Sequence, residues 1–209
     1  MMKTYKGIDL SKHNTVVSWD DVFHQNNIDF IILRAGGHFN GFYKDPKFEQ
    51  YYNACKMYGI PVGCYYDCGK MFYNEVFAEK CADHFYNLIN GKQFEYPVFM
   101  DIEVTPKCYK HNITKASIAF CRRMEKFGYY VGIYASDISG FYERLDLPEL
   151  KAFDKWVARY GKEPQYVKQY GIWQHSSTGS VVGIKGPVDQ DISYKNYPKI
   201  IKEAHLNGY

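Results

Sequence analysis

Short apolar runs alternate along the chain with longer stretches whose apolar residues recur at helical spacing. This alternation is typical of repeated βα units, in which parallel strands are covered by helices. Residues 29–36, with the sequence DFIILRAG, form a continuous apolar run, as expected for a strand that is buried on both faces. The pattern predicts five such strands, at residues 6–11, 29–36, 61–68, 96–104 and 130–135.

The helices between these strands are indicated by the signals at their ends. Ser18 followed by acidic residues predicts the start of a first helix, and Thr114 is the expected N-cap of the fourth. Pro46 in a first turn and Gly59 as a stop predict a helix over residues 45–58. The other predicted helices cover residues 74–89 and 114–126, with a short piece at 138–144.

The pattern changes after residue 150, where strand-like runs follow one another with no full helix between them. These runs lie at residues 155–160, 171–175, 181–184 and 188–189, and the tail at 196–206 has a helical pattern. We therefore predict one α/β domain over residues 1–209, in which five βα units and about three further strands close a barrel with mixed strand pairing.

Composition and charge exclude several functional classes. The 209 residues are enough for one well-buried core. The net charge of +3, from 26 basic and 23 acidic residues, is too small and too dispersed to indicate nucleic-acid binding. No apolar run has the length of a membrane span. The six cysteines form no Cys-x-x-Cys pair and no zinc-finger pattern, so we expect free thiols and neither a metal nor a cofactor.

Carboxylates follow most of the predicted strands, at the end where βα barrels carry their active sites. Asp101 and Glu103 are the informative pair, because residues two apart in a strand point to the same face. An apolar surround and a neighbouring carboxylate both raise a pKa, so one member could stay protonated while the other is ionised. The full set comprises Asp9, Asp67, Asp101, Glu103, Asp137, Asp189 and Asp191.

Each of these acids also has a simpler interpretation. Asp101 and Glu103 could be a solvated or salt-bridged pair at the end of a strand, and Asp9 could be a turn or N-cap residue. A turn role is plausible for Asp189 and more so for Asp191. Asp9 and Asp189 alone would therefore not identify a site.

Motifs in the same order along the chain resemble those of the glycoside hydrolase family 25 lysozymes. Gly7-Ile-Asp-Leu-Ser is similar to the opening motif of that family, and Phe99-Met-Asp-Ile-Glu to its Asp-x-Glu strand. The other similar segments are FIILRAG at 30–36, GIPVGCY at 59–65, GIYA at 132–135, IWQH at 172–175 and GPVD at 186–189.

The resemblance implies a flattened barrel, similar to a TIM barrel, and cleavage of the β-1,4 bond between N-acetylmuramic acid and N-acetylglucosamine in peptidoglycan with retention. It implies that Glu103 is the general acid and that Asp101 orients the acetamido group of the substrate, which would act as an internal nucleophile. Asp9 and Asp189 would be the further active-site acids. The substrate-binding residues would be Arg34, Tyr65, Tyr134 and Trp173.

The same resemblance implies action at the bacterial cell wall on peptidoglycan strands. We also expect a monomer, and we expect no separate wall-binding module because no wall-binding repeat is seen in the sequence. No apolar signal segment is visible at the N-terminus, so we expect either release of the phage endolysin type or an export signal outside this sequence. Lys12-His13-Asn14 and Tyr66-Asp67-Cys68 depart from the family pattern beside the expected groove, which leaves the preferred glycan form open.

Two alternatives remain open from the sequence. The first is another barrel glycosidase, similar to a chitinase, although the longer acidic motif of such enzymes is absent before Asp101. The second is a carbohydrate-binding protein on an inactive scaffold, against which the presence of Asp9, Asp101, Glu103 and Asp189 argues.

Overall fold

The computed structural model describes residues 3–209 and contains an eight-stranded barrel with helices on its outside. The elements of the first half are β1 (Tyr5–Leu10), β2 (Thr15–Val16), α1 (Trp19–Gln25), β3 (Phe30–His38), β4 (Phe42–Lys44), α2 (Phe48–Met57), β5 (Val62–Asp67) and α3 (Glu75–Ile89). Those of the second half are β6 (Val98–Asp101), a 3₁₀ turn (Lys107–Tyr109), α4 (Lys110–Lys126), β7 (Val131–Ser136), a π-helical turn (Asp137–Tyr142), a second 3₁₀ turn (Leu147–Leu150), β8 (Asp154–Ala158), β9 (Ile172–Gly179), β10 (Ile184–Lys185), β11 (Val188–Ser193) and α5 (Tyr197–Glu203).

The barrel closes with mixed pairing, which confirms the predicted α/β fold class. Seven strands are parallel, in the order β1, β3, β5, β6, β7, β8 and β9, and β1 pairs with β3 to join the ring. Strand β11 runs antiparallel to both β9 and β1 and completes the circle. Strand β4 extends the sheet as a hairpin partner of β3.

One predicted strand of the second half lies outside the barrel. The run at 181–184 contributes only to β10, which pairs with β2 in a separate two-stranded ribbon. The barrel instead uses β11, of which the sequence pattern indicated the first residues at 188–189. A short ribbon and a barrel strand can have similar local sequences. Pairing with strands that are distant in the sequence decides which of the two forms.

The helix ends show which local signals decided the structure. The Ser18 hydroxyl accepts a hydrogen bond from the Asp21 amide at 3.2 Å, as the predicted N-cap requires. The predicted start at Thr114 is wrong, because α4 begins at Lys110. Thr114 lies one turn inside the helix, where its hydroxyl donates to the Lys110 carbonyl at 2.9 Å. A threonine can make this internal bond as readily as a cap.

Aromatic side chains fill the lower part of the barrel interior and require glycines opposite them. Phe30 and Phe99 belong to an inner cluster of buried residues that also contains Trp156. A Cβ atom at Gly7 would lie 2.2 Å from the ring of Phe30, and one at Gly132 would lie 2.5 Å from the ring of Phe99. The glycines of two family-like motifs therefore make room for the aromatic layer on which the site rests.

A second, larger apolar core lies between the barrel and its helices. The six cysteines are free thiols, as expected, and five of them are buried, while Cys108 is exposed. Burial of Cys55, Cys64, Cys81 and Cys121 raises the pKa of each thiol, so these residues behave as small apolar side chains. Among residues 3–209, no helix combines the length and apolar character needed to cross a bilayer.

Candidate active site

The carboxyl ends of the parallel strands bring three acids from distant parts of the sequence to one end of the barrel. Asp9 lies near the end of β1, Asp67 ends β5 and Asp101 ends β6. Asp67 and Asp101 are partners in register across the β5–β6 pair. Asp9 and Asp101 are buried in the barrel mouth, with 6% and 7% of their surfaces exposed. The predicted gathering of strand-end acids is present.

The two members of the Asp-x-Glu motif occupy different environments. The predicted strand to residue 104 is too long, because β6 ends at Asp101 and Glu103 lies in the bend that follows. Glu103 is exposed at the rim, whereas Asp101 lies deeper, and its Oδ1 is buried without a hydrogen-bond partner. Met100 and Ile102 are buried in the outer core, as expected for the face opposite the acids. The motif thus places one carboxyl group inside the barrel and one at its mouth.

Both carboxyl groups of the motif hold protons more tightly than isolated acids do. Burial raises the pKa of Asp101 well above its ordinary value, and the negative charges of Glu103 and Asp67 raise it further. The pKa of Glu103 is also raised, because surrounding protein atoms remove part of its hydration and Asp67 and Asp189 repel its charged form. The raised pKa values favour a protonated carboxyl group in this pair, as general acid catalysis requires.

Gln174 of β9 connects the acids to two tyrosines. Its Nε2 donates to Asp9 Oδ2 at 2.7 Å, and its Oε1 accepts from the Tyr134 hydroxyl at 2.8 Å and from the Tyr160 hydroxyl at 3.2 Å. Gln174 is 2% exposed, so these bonds lie in a region with little water. The amide therefore fixes the orientation of Asp9 relative to Tyr134. Sequence reasoning assigned no role to Gln174 or Tyr160.

The acids of β11 lie at two depths in the barrel. Asp189 pairs in register with Asp9 near the mouth, and burial raises its pKa. Asp191 pairs with Gly7 one layer deeper, where its Oδ1 accepts from the Trp156 indole at 2.7 Å. Burial raises the pKa of Asp191 to about 8. The turn interpretation of Asp191 is therefore wrong, because antiparallel pairing with β1 turns both acids inward.

The predicted aromatic residues separate into two groups. Tyr134 and Tyr65 lie against Trp156, with ring centroids 4.4 and 5.9 Å from it, at the level of the acids. Trp173 lies on the opposite face of β9 from Gln174, and its indole donates to the Arg159 carbonyl at 2.7 Å. The structure therefore brings Gln174 rather than its neighbour Trp173 into the acid cluster.

Arg34 lies to one side of the cluster, next to Tyr65 in the β3–β5 register. Its Nε contacts Asp45 Oδ2 at 2.8 Å, and its Nη2 is buried without a hydrogen-bond partner. The positive charge of Arg34 opposes the rise in the pKa of Asp101. A guanidinium in this position can both lower the pKa of the nearby acids and donate hydrogen bonds to a bound ligand.

Asp137, another acid at a strand end, does not join the cluster. Its carboxylate is 1% exposed and accepts from Arg159 Nη1 and the Gln165 amide at 2.7 Å, and from the Val167 amide at 2.9 Å. Burial alone would raise the pKa of Asp137, but these donors hold it below its usual value. Asp137 fixes the loop after β8 and is a structural residue.

A possible cation-ligand set within residues 3–209 lies apart from these acids. His111, Asp146 and Glu149 have ligand atoms within 4.8 Å of one another, but His111 and Glu149 are exposed. Asp146 already pairs with Lys110 at 3.4 Å. This surface group gives no support for a metal centre, and the acid cluster itself supports proton transfer by carboxyl groups.

Comparison with known proteins points to one family. The model of the glycosyl hydrolases family 25 matches residues 8–184. The "Autolytic lysozyme" of Clostridium acetobutylicum is 27% identical over 187 residues, which are 89% of this chain and 55% of that protein. The chain thus spans about half the length of that curated relative.

Solved structures give the same result. The CTP1L endolysin superposes with a TM-score of 0.81 at 26% identity, over 95% of this chain and 70% of that one. The modular autolysin LytC from Streptococcus pneumoniae superposes with a TM-score of 0.78 at 27% identity, over 90% of this chain and 46% of that one.

Proposed function

This chain belongs to glycosyl hydrolase family 25, and we propose that it is a muramidase that cleaves the β-1,4 bond between N-acetylmuramic acid and N-acetylglucosamine in bacterial peptidoglycan. The observation that carries the proposal is the pair at the end of β6, with Glu103 exposed at the rim and Asp101 buried below it. Glycoside hydrolysis typically uses two carboxyl groups that flank the scissile bond, one of them protonated and the other ionised.

We assign the role of general acid to Glu103. It is the member of the pair that solvent and a polymer at the barrel mouth can reach. Lost hydration and the charges of Asp67 and Asp189 raise the pKa of Glu103, which favours the protonated form that a general acid needs. The proton would pass from the carboxyl of Glu103 to the glycosidic oxygen as the bond to the departing N-acetylglucosamine breaks.

Asp101 would position the acetamido group of the sugar that stays bound. Its Oδ1 lacks a partner in a buried position and can accept a hydrogen bond from the acetamido N–H. That bond favours the ionised form of Asp101 and leaves the shared proton on Glu103. The acetamido oxygen would then attack the anomeric carbon as the glycosidic bond breaks, and a five-membered ring would form between the acetamido group and the sugar. Water would next attack the same carbon, give a proton to the Glu103 carboxylate and break the bond to the acetamido oxygen, which restores the acetamido group with net retention.

Asp9 and Asp189 would complete the electrostatic environment of the developing positive charge. Burial and the charges of Asp191 and Asp189 raise the pKa of Asp9 well above its ordinary value. Negative charge shared among these carboxylates would stabilise the positive charge that develops on the sugar ring in the transition state more than it stabilises the neutral ground state. Tyr134, held by Gln174, would form part of the wall around this ring.

The bacterial cell wall is the expected place of action. The relatives described above bear the names lysozyme, endolysin and autolysin, which all denote lysis of walls or cells. We therefore propose that the barrel mouth described here acts on the glycan of the cell wall.

The decisive experiment is the digestion of purified peptidoglycan and of chitin, followed by mass spectrometry of the reduced fragments. We expect new reducing ends on N-acetylmuramic acid and little product from chitin. Reducing ends on N-acetylglucosamine would refute the bond assignment, and preference for chitin would favour the chitinase-like alternative. Glu103→Gln should abolish product formation, while Glu79→Gln, at an exposed position in α3, is the matched control.

A further inference from the structure

A groove of about 540 Å³ opens beside the acid cluster, between the loop after β1 and the β3–β4 hairpin. Asp67 lines its inner end, and Asp67 is the register partner of Asp101. The Tyr43 hydroxyl donates to Asp67 Oδ2 at 3.0 Å and forms the floor between the inner and outer ends. The groove therefore extends outward from the proposed cleavage site along the surface.

Lys12 and Arg34 form a cationic corner of the groove, and the imidazole of His13 lies beside them as a neutral donor. Arg34 Nη2 is buried and has no hydrogen-bond partner, although a guanidinium nitrogen in that position would normally donate to an acceptor. The ammonium group of Lys12 forms no ion pair with the described residues and lies 5.8 Å from the centre of the Tyr43 ring. Two donors are thus free to bind an anion.

The nearby carboxylate does not neutralise this corner. Asp45 is 1% exposed and accepts from Arg34 Nε at 2.8 Å and from the amides of Lys12 and Lys47 at 3.0 Å. One buried negative charge therefore faces the positive charges of Arg34, Lys12 and Lys47. Burial and the positive charges of Arg34 and Lys12 lower the pKa of His13, as expected where the local potential is positive.

The wall of the groove above this corner is apolar. Phe39 and Phe42, at the two ends of the hairpin turn, have 58% and 47% of their surfaces exposed. Exposed aromatic side chains beside free cationic donors suit a ligand that combines methyl groups with carboxylates. Where a stem peptide is attached, the lactyl carboxyl of muramic acid is part of an amide bond and the sugars carry no charge, whereas the stem peptide carries alanine methyl groups and free carboxylates.

We propose that this groove binds the stem peptide of peptidoglycan and that Lys12, Arg34 and His13 bind one of its carboxylates. The inference rests on the proposed muramidase function and specifies its substrate. A peptide carboxylate in the corner would give Arg34 Nη2 its missing acceptor, while Phe39 and Phe42 contact the alanine side chains. The glycan would then be held at the acids by its neutral sugars and oriented by its charged branch.

The test compares two substrates from one preparation of peptidoglycan from which wall polymers have been removed. One keeps its stem peptides, and the other has lost them through an amidase, which leaves a free carboxylate on each lactyl group. A corner that binds this lactyl carboxylate as well as a peptide carboxylate would give no dependence of the rate ratio on Lys12. For the wild type, Lys12→Met, Lys12→Glu and the control Lys126→Glu, at an exposed position in α4, we measure kcat/KM on both substrates. The readout is the ratio of the peptide-bearing value to the peptide-free value.

We expect Lys12→Met to lower this ratio about five-fold and Lys12→Glu to lower it more than ten-fold, with no change for Lys126→Glu. The effect should shrink as salt is added, because Lys12 is exposed. An unchanged ratio for Lys12→Glu would overturn the inference. The same measurement is repeated on the preparation before its wall polymers are removed. A ratio that depends on Lys12 only there would assign the corner to the phosphates of those polymers and overturn the inference too. If neither substrate yields new reducing ends, the muramidase proposal fails first.

Discussion

Two neighbouring strands of the barrel end in buried aspartates with opposite chemistry. Asp101 ends β6 and Asp137 follows β7, and these strands are directly paired. Asp137 is surrounded by a guanidinium and backbone amides, and its pKa is lowered. Asp101 faces other carboxylates and has an oxygen without a partner, and its pKa is raised. Burial at a strand end therefore does not mark a catalytic acid, and the donors around the acid decide its role.

The energetic meaning of the two environments is also opposite. A buried carboxylate with matched donors stabilises the fold, because removing it leaves several N–H groups without acceptors. A buried carboxylate beside like charges destabilises the fold at neutral pH and persists where function requires it. The acid cluster of Asp9, Asp101, Asp189 and Asp191 is therefore a region where burial and like charges reduce the stability of the fold, as we expect for acids that serve the proposed reaction.

The largest expected effect is on the Asp101 side of this comparison. Asp101→Asn should lower kcat/KM on peptidoglycan roughly 100- to 1000-fold. The neutral amide oxygen of asparagine accepts a weaker hydrogen bond from the acetamido N–H than a carboxylate does, so the acetamido group is held less well for attack. The free energy of unfolding at pH 8 should stay the same or rise, because a like charge has been removed from the cluster. Lost activity together with lost stability would show that Asp101, like Asp137, is structural.

Asp137→Asn should give the reverse pattern. We expect a loss of about 2 kcal/mol in the free energy of unfolding, because a charged acceptor of several hydrogen bonds is removed. Since the pKa of Asp137 is lowered in the folded state, this difference should be full above pH 4 and shrink in more acidic solution. Urea unfolding across pH measures it, and kcat/KM at 25 °C should change less than three-fold. A larger loss of activity with full stability would place Asp137 in the active site.

Asp191→Asn should have the smallest effect and a distinct pH dependence. Because burial raises the pKa of Asp191 to about 8, the wild type loses stability as the pH rises from about 4 through 8. The asparagine variant keeps an oxygen for the Trp156 indole and avoids the buried charge. It should therefore unfold with at least about 1 kcal/mol more free energy than the wild type at pH 9, and with equal free energy at pH 4. A pH-independent difference would contradict the buried-charge explanation.

The fold was predictable from the sequence to the extent that local patterns determine it. Apolar runs and helix signals identified the βα units, and the ends of β1, β5 and β6 carry the expected acids. The start of α4 was not predictable from Thr114, since a threonine can cap a helix or bond within it. The β3–β4 hairpin and the β2–β10 ribbon depend on pairing that no local pattern specifies.

The site was predictable where it depends on the alternation of side chains between the two faces of one strand. It was less predictable where the position of a residue depends on how its strand pairs with a neighbour. Asp101 and Glu103 follow from one motif, but the depth of Asp191 depends on its pairing with Gly7 in β1. Gln174 could have been found beside Trp173, because only one of two adjacent strand residues can face the barrel interior. The role of Trp173 in substrate binding stays a prediction, while the contact with Asp9 is made by its neighbour Gln174.

The central claim is that Glu103 donates a proton to the leaving oxygen. The most direct test is whether the loss of kcat in Glu103→Gln depends on the leaving group of the substrate. Kinetics of Glu103→Gln should be measured with peptidoglycan oligosaccharides and with aryl glycosides of the same donor sugars that release an acidic phenol. We predict a loss of kcat of at least roughly 1000-fold with the sugar leaving group, which needs protonation. With the acidic phenol, which leaves without protonation, the loss should be less than about 10-fold. Equal losses with both substrates would contradict the acid role of Glu103.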